Sequence, residues 1–174
     1  GEIIQKAVAV LKIEAEGITN LAHRIDENFS KMVELICDSS GRIIIGGIGK
    51  SGIVGRQIVA TLNSTGTRSL VLHPVEAMHG DLGQVSAGDI FIALSKSGET
   101  DELNILLPSI RRIGCKIIAF TGNKNSNLAN HSDIIIDVGV ECEACPLGLA
   151  PTASTTALLV MGDALAVVLL EKKH

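Results

Sequence analysis

Ser95, Ser97 and Thr100 place three hydroxyls within six residues, around Lys96, Gly98 and Glu99. The segment follows the apolar run Asp89-Ile90-Phe91-Ile92-Ala93-Leu94 and precedes a helical pattern. Free backbone N–H groups and the positive end of a helix dipole therefore meet those hydroxyls. A helix cap needs one hydroxyl and contributes about 1 kcal/mol, whereas three at this spacing suit the oxygens of a phosphate. A second loop, Gly46-Gly47-Ile48-Gly49-Lys50-Ser51-Gly52, follows Arg42-Ile43-Ile44-Ile45 in the same manner. Gly49 and Ser51 add donors there, and Lys50 brings a cation to a glycine-flanked turn. Two such loops in one small chain point to a phosphorylated small molecule.

The glycine spacing alone is less specific. Gly47-x-Gly49-x-x-Gly52 fits a dinucleotide fingerprint, but the second strand ends in His73-Pro74 where that site wants an acid. Gly49-Lys50-Ser51 matches the end of a nucleotide P-loop, which needs glycine where this chain has Ile44. Both nucleotide readings fail. Farther on, Cys142-Glu143-Ala144-Cys145 is a single Cys-x-x-Cys with no second pair to complete a metal site. The cysteines read as incidental and Glu143 as the member with chemistry. Thr152, Ser154, Thr155 and Thr156 open the last helix, a third terminus rich in hydroxyls, and Ser154 there is a further candidate to bind the substrate. His73 and the His79-Gly80-Asp81 segment follow the second strand and are further candidates to face the site.

The elements that must position these residues alternate along the chain. Predicted strands cover 42–46, 69–72, 89–94, 116–121 and 134–138, and predicted helices 52–64, 100–113, 126–130 and 152–171. Short, continuously apolar strands separated by helices predict an α/β fold with a five-stranded parallel sheet covered on both faces. Ligands then sit beyond the carboxyl ends of the strands, where both loops fall. Ahead of this core (41–174) lies a helical arm (1–40). Ile4, Ala7, Val8 and Leu11 share one face, Ile18, Leu21, Ala22 and Ile25 continue it, and Ser30 is the expected cap of a second short helix.

Composition narrows the classes. The chain has 174 residues, 46% hydrophobic and 20% charged, enough for one domain with a full core. A net charge of −4 without a basic stripe, and three Phe with no Trp or Tyr, argue against a nucleic-acid partner. Ala157–Leu170 is short and interrupted by Asp163, so it reads as a buried helix and not a membrane span. Four cysteines without a dense framework and no visible signal peptide lead to an expected cytoplasmic location.

Together these segments resemble the sugar isomerase (SIS) domain of the arabinose-5-phosphate isomerase family. The resemblance is carried by Gly47–Gly52, by His73-Pro74 through Gly83, and by Ser95–Thr100. Its most specific stretch is Glu143-Ala144-Cys145-Pro146-Leu147-Gly148-Leu149-Ala150-Pro151-Thr152, continuing through Ser154–Thr156 and Met161–Ala164. It covers the chain from about Gly41 to its end. It implies an aldose–ketose isomerase that interconverts D-ribulose 5-phosphate and D-arabinose 5-phosphate, the opening step to 3-deoxy-D-manno-octulosonate (Kdo) for lipopolysaccharide or capsule. It also implies a homotetramer and no metal or redox cofactor. Ser51, Ser95, Ser97 and Thr100 would bind the phosphate. Lys50, Glu102 and Glu143 would be the catalytic polar residues, and His79 a site histidine.

Members of that family carry paired CBS domains after the SIS domain, and a further catalytic His in a His-Pro-Gly-Gly segment. This sequence ends at Glu171-Lys172-Lys173-His174, short of both. A single SIS domain over 1–174 is therefore expected, with full activity needing the residues beyond.

The reaction would pass a proton between C1 and C2 through an enediolate. A glutamate withdrawn from water, its pKa raised toward neutrality, suits the base. Glu143 is the leading candidate and Glu102 its alternative or acid partner. Lys50 would polarise the oxygens, and His79 would assist ring opening or orientation. Two alternatives stay open: a noncatalytic phosphosugar-sensing module, and an isomerase of another sugar phosphate.

Overall fold

A computed structural model describes residues 1–174. Five strands, β1 (Ile43–Gly46), β2 (Ser69–Val71), β3 (Ile90–Leu94), β4 (Lys116–Thr121) and β5 (Ile134–Asp137), pair in parallel in the order β2-β1-β3-β4-β5. Ile45 lies beside Val71 on one side and Ile92 on the other. The chain winds one way from β1 to β2 and the other way from β3 onward. The crevice that sheets of this kind use for ligands lies at that reversal, between the ends of β1 and β3.

Seven helices complete the layers: α1 (Glu2–His23), α2 (Glu27–Asp38), α3 (Lys50–Ser64), α4 (Pro74–Met78), α5 (Asp101–Ile113), α6 (Asn127–Asn130) and α7 (Ala153–Lys173). Alternate strand residues feed two separate cores. Ile43, Ile45, Ile90, Ile92 and Leu94 pack with Met32, Ile58, Leu62, Met161 and Leu165 of α2, α3 and α7. Ile44, Phe91 and Ala93 face Leu103, Leu106, Leu107 and Ile110 of α5 and Leu128 of α6. The strands read as continuous apolar runs because both faces are covered.

α7 is long and apolar enough to span a bilayer by length and composition alone, yet half of that stretch is buried in the core. It lies so close to α3 that a Cβ on Gly162 would stand 2.5 Å from the Ile58 side chain. Only glycine permits that approach. The first half of α1, by contrast, leaves Ile3, Ile4, Val8 and Leu11 exposed, while Leu21 near its end is buried.

Several expected boundaries move. α2 starts at Glu27 and is capped by Asp26, whose side chain accepts from the Asn28 N–H at 2.9 Å. Ser30 therefore lies inside the helix and caps nothing. α3 begins at Lys50, two residues before the predicted 52, because Gly49 already serves as its N-cap. Reading the glycines as loop hid that first turn. α4 and a 3₁₀ turn over Asp81–Gln84 lie outside the predicted elements, being too short to show periodicity.

Candidate active site

Three helix N-termini converge at the carboxyl edge of the sheet, and they differ in how they are capped. α3 starts at Gly49, which has no side chain to offer its first turn. Lys50 stands exposed at the opening of that helix and Ser51 is half-buried behind it. No acidic residue balances the lysine in the first turn. A cation on the positive end of a helix costs about 0.3–1 kcal/mol, a local conflict that a bound anion would relieve.

α5 starts after Thr100, whose side chain makes no capping bond either. The loop before it is held rigidly from within. Ser95 is 3% exposed, and its Oγ accepts the Gly98 N–H at 3.0 Å and lies 2.8 Å from Thr100 Oγ1. Ser97 Oγ accepts the Glu99 N–H at 3.0 Å. The Ser97 proton and one proton of the Ser95–Thr100 pair remain free to donate.

From outside, α6 staples the same loop in place. Asn127 donates from its N–H (2.8 Å) and Nδ2 (2.6 Å) to the Glu99 carboxylate. The Gly98 carbonyl accepts from the Leu128 N–H at 3.0 Å and from Asn104 Nδ2 at 3.1 Å. Two uncapped helix starts with preset hydroxyls, α3 and α5, thus flank the crevice between β1 and β3. Free N–H groups and hydroxyls in that arrangement have the chemistry that suits an anion.

The third terminus is already occupied. Glu143, in the loop between β5 and α7, accepts from the Thr152 N–H (3.2 Å), the Ser154 N–H (2.9 Å) and Ser154 Oγ (2.5 Å). Its other close partner is the Lys96 ammonium, 2.9 Å from Oε2. The Glu143 side chain is 5% exposed and that of Lys96 is 55% exposed. Burial opposes ionisation of Glu143, but the Ser154, Lys96 and Thr152 donors outweigh it and bring its pKa down to about 2. The expectation of a raised pKa is overturned. Burial was the visible half of the argument, and the donors came from residues the sequence had assigned elsewhere. Ser154, expected to touch substrate, spends its hydroxyl on Glu143.

A folded-state pKa of about 2 against an ordinary 4.5 has a consequence for acid stability. Glu143 stabilises the fold fully above pH 4.5, and that contribution is lost as the pH falls toward 2. Its size is about 3 kcal/mol at neutral pH. Urea midpoints should fall as the pH is lowered through this window, and Ser154→Ala should flatten the fall. An unchanged pH slope in Ser154→Ala would show that Glu143 is not held this way.

The remaining candidates sit apart from these bonds. His79 is exposed at the end of α4, and Glu102 is exposed in the first turn of α5. His73 is accounted for by structure, since its Nδ1 accepts the Val75 N–H at 3.2 Å and caps α4. All four cysteines are free, and the Cys115 thiol is pushed up to about 11 by burial and then by Asp89. Backbone N–H groups of Ala150 and Leu147 lower the thiol pKa of Cys145.

Sequence reasoning missed Lys96, although its place between Ser95 and Ser97 was the available signal. Lys96 and Glu143 both line an open groove of about 780 Å³ between α1 (Lys6, Ala9, Val10, Ile13) and the loop at 142–148.

A doubly wound sheet with two uncapped helix starts at its reversal, and a buried glutamate beside them, defines the class: a parallel α/β domain with its candidate site at the carboxyl edge. Residues 35–168 match the SIS domain, and the chain belongs to that family. Arabinose 5-phosphate isomerase KdsD of Pseudomonas aeruginosa is 47% identical over 172 residues, covering 99% of this chain and 53% of that protein. KdsD of Escherichia coli K12 is 47% identical over 169 residues, covering 97% of this chain and 52% of that protein. The chain thus spans about half the length of the curated relatives it matches. Escherichia coli CFT073 c3406, solved in complex with arabinose 5-phosphate, superposes with a TM-score of 0.95 at 38% identity, covering 99% of this chain and 92% of that one.

Proposed function

We propose that this chain is the isomerase domain of an enzyme interconverting D-arabinose 5-phosphate and D-ribulose 5-phosphate. The observation that carries the reading is the close superposition on a protein solved with arabinose 5-phosphate, with two uncapped helix starts at the sheet reversal. Ser95, Ser97 and Thr100 grip the phosphate together with Ser51 and the Gly49 turn. Lys50 sits at the other side of the crevice, where its charge stabilises the oxyanion of an enediolate.

Glu143 and Glu102 divide the proton transfers between C1 and C2 and between the oxygens. Glu143 is ionised at every working pH, which is the protonation state a base needs, but its donors make it weakly basic until some are withdrawn. His79 orients the sugar or assists ring opening.

The outward apolar residues of α1 support assembly into a homotetramer through that helix. We read residues 1–174 as one SIS domain of a cytoplasmic enzyme at the opening step of Kdo formation, a reading consistent with relatives named arabinose 5-phosphate isomerase. An isomerase assay of the full-length enzyme with C5, C6 and C7 ketose phosphates tests the reading. Turnover confined to ribulose 5-phosphate is expected. Turnover of a longer ketose alone would reassign the substrate, and binding without any turnover would make the domain a sensor.

A further inference from the structure

We propose that the Lys96 ammonium changes partners during the reaction cycle, pairing with Glu143 before substrate binds and with the substrate's phosphate afterwards. The inference rests on the phosphosugar reading above and deepens it. Lys96 stands between the two serines of the phosphate loop, so its Cα is about 3.8 Å from each neighbour's. Its main chain cannot drift, because its carbonyl accepts from the Gly122 N–H (2.9 Å) and Thr121 Oγ1 (3.2 Å). Only the side chain is free to turn, on a stem of four methylenes.

The two partners differ in freedom. Lys96 is the exposed member and Glu143 the buried one, so the lysine moves and the carboxylate stays. A phosphate dianion at Ser95 and Ser97 offers the ammonium more negative charge than one carboxylate does. Glu143 is not stranded when Lys96 leaves, since Thr152 and Ser154 still donate three bonds to it. Its basicity rises instead.

The other ionisable groups facing it in the groove are Lys6 of α1, which pairs with Glu2 at 3.2 Å, and the thiols of Cys142 and Cys145 from its own loop. None of them sits inside the phosphate motif. The handover therefore makes the base competent only when the phosphate is seated. It also gives a reason for a lysine in a loop whose hydroxyls already suffice to bind.

The test is a carbon-13 titration of the glutamate carboxyls in the whole chain, with Glu143 assigned by its disappearance in Glu143→Gln. Saturating arabinose 5-phosphate should raise the Glu143 midpoint by a unit or more, and unphosphorylated D-arabinose should leave it unchanged. In Lys96→Met the midpoint should start high and stay there, with arabinose 5-phosphate binding about tenfold weaker. Lys96→Arg should restore most of both effects.

A midpoint that ignores arabinose 5-phosphate, or full-strength binding of that sugar by Lys96→Met, would overturn the handover. Wild-type protein that fails to bind arabinose 5-phosphate at all would overturn the arabinose 5-phosphate reading itself, and with it the handover to that sugar's phosphate.

Discussion

Glu143→Gln is expected to lower isomerisation in the full-length enzyme by about 10³-fold, within the range for loss of a general base. Affinity for arabinose 5-phosphate should be kept or rise, because the substitution leaves the phosphate loop in place and frees Lys96 from its carboxylate partner. The substitution is close to isosteric. Its amide oxygen can still accept the Thr152 and Ser154 N–H bonds that seat the start of α7. Loss of rate would then report loss of the carboxylate and not collapse of the loop. Steady-state rates with a separate binding measurement decide it. If Glu143→Gln keeps more than a tenth of the rate, Glu102 takes the base role and Glu143 becomes an anchor for α7.

The second large effect should come from Gly98→Ala. Gly98 has φ +71°, and a Cβ there would lie 1.9 Å from Ser126 Oγ and 2.3 Å from Ser126 Cβ. A left-handed conformation costs an alanine about 1 kcal/mol or more, and the overlap with the start of α6 adds about 1–3 kcal/mol. The sum of about 2–4 kcal/mol is a large part of an ordinary domain's stability. The loop has an alternative, which is to move away from α6 and break the Gly98–Leu128 and Glu99–Asn127 bonds. That move takes Ser95 and Ser97 out of register with the helix start, so arabinose 5-phosphate binding should fall even where the fold survives. Urea denaturation and a sugar-phosphate titration on the same variant separate the two losses. Wild-type values for both would show that neither the backbone nor the stapling matters.

The same residues show how far sequence reasoning reaches. Strand runs such as Ile43-Ile44-Ile45 and Ile90–Leu94 were legible because burial on two faces demands an unbroken apolar stretch. The hydroxyl-rich turn after β3 was legible because its donors are close neighbours in the chain. A parallel sheet with both loops at its carboxyl edge was legible too, but the order β2-β1-β3-β4-β5, which puts Gly49 and Ser95 on either side of the reversal, was not, because alternating strands and helices leave strand neighbours open.

Contacts between distant segments were not legible. Lys96 and Glu143 are 47 residues apart, and Glu99 and Asn127 are 28 apart. Nothing local in either segment announces its partner. Residue types and spacing by themselves determined that this chain folds as a parallel α/β domain with a hydroxyl-rich turn after its third strand. Only the tertiary structure decided that the third hydroxyl-rich helix start holds the chain's own Glu143, and that its pKa falls where burial alone would raise it. The reason is physical: periodicity and turn chemistry act over a few residues, whereas the charge state of a buried group depends on whichever donors the fold brings to it.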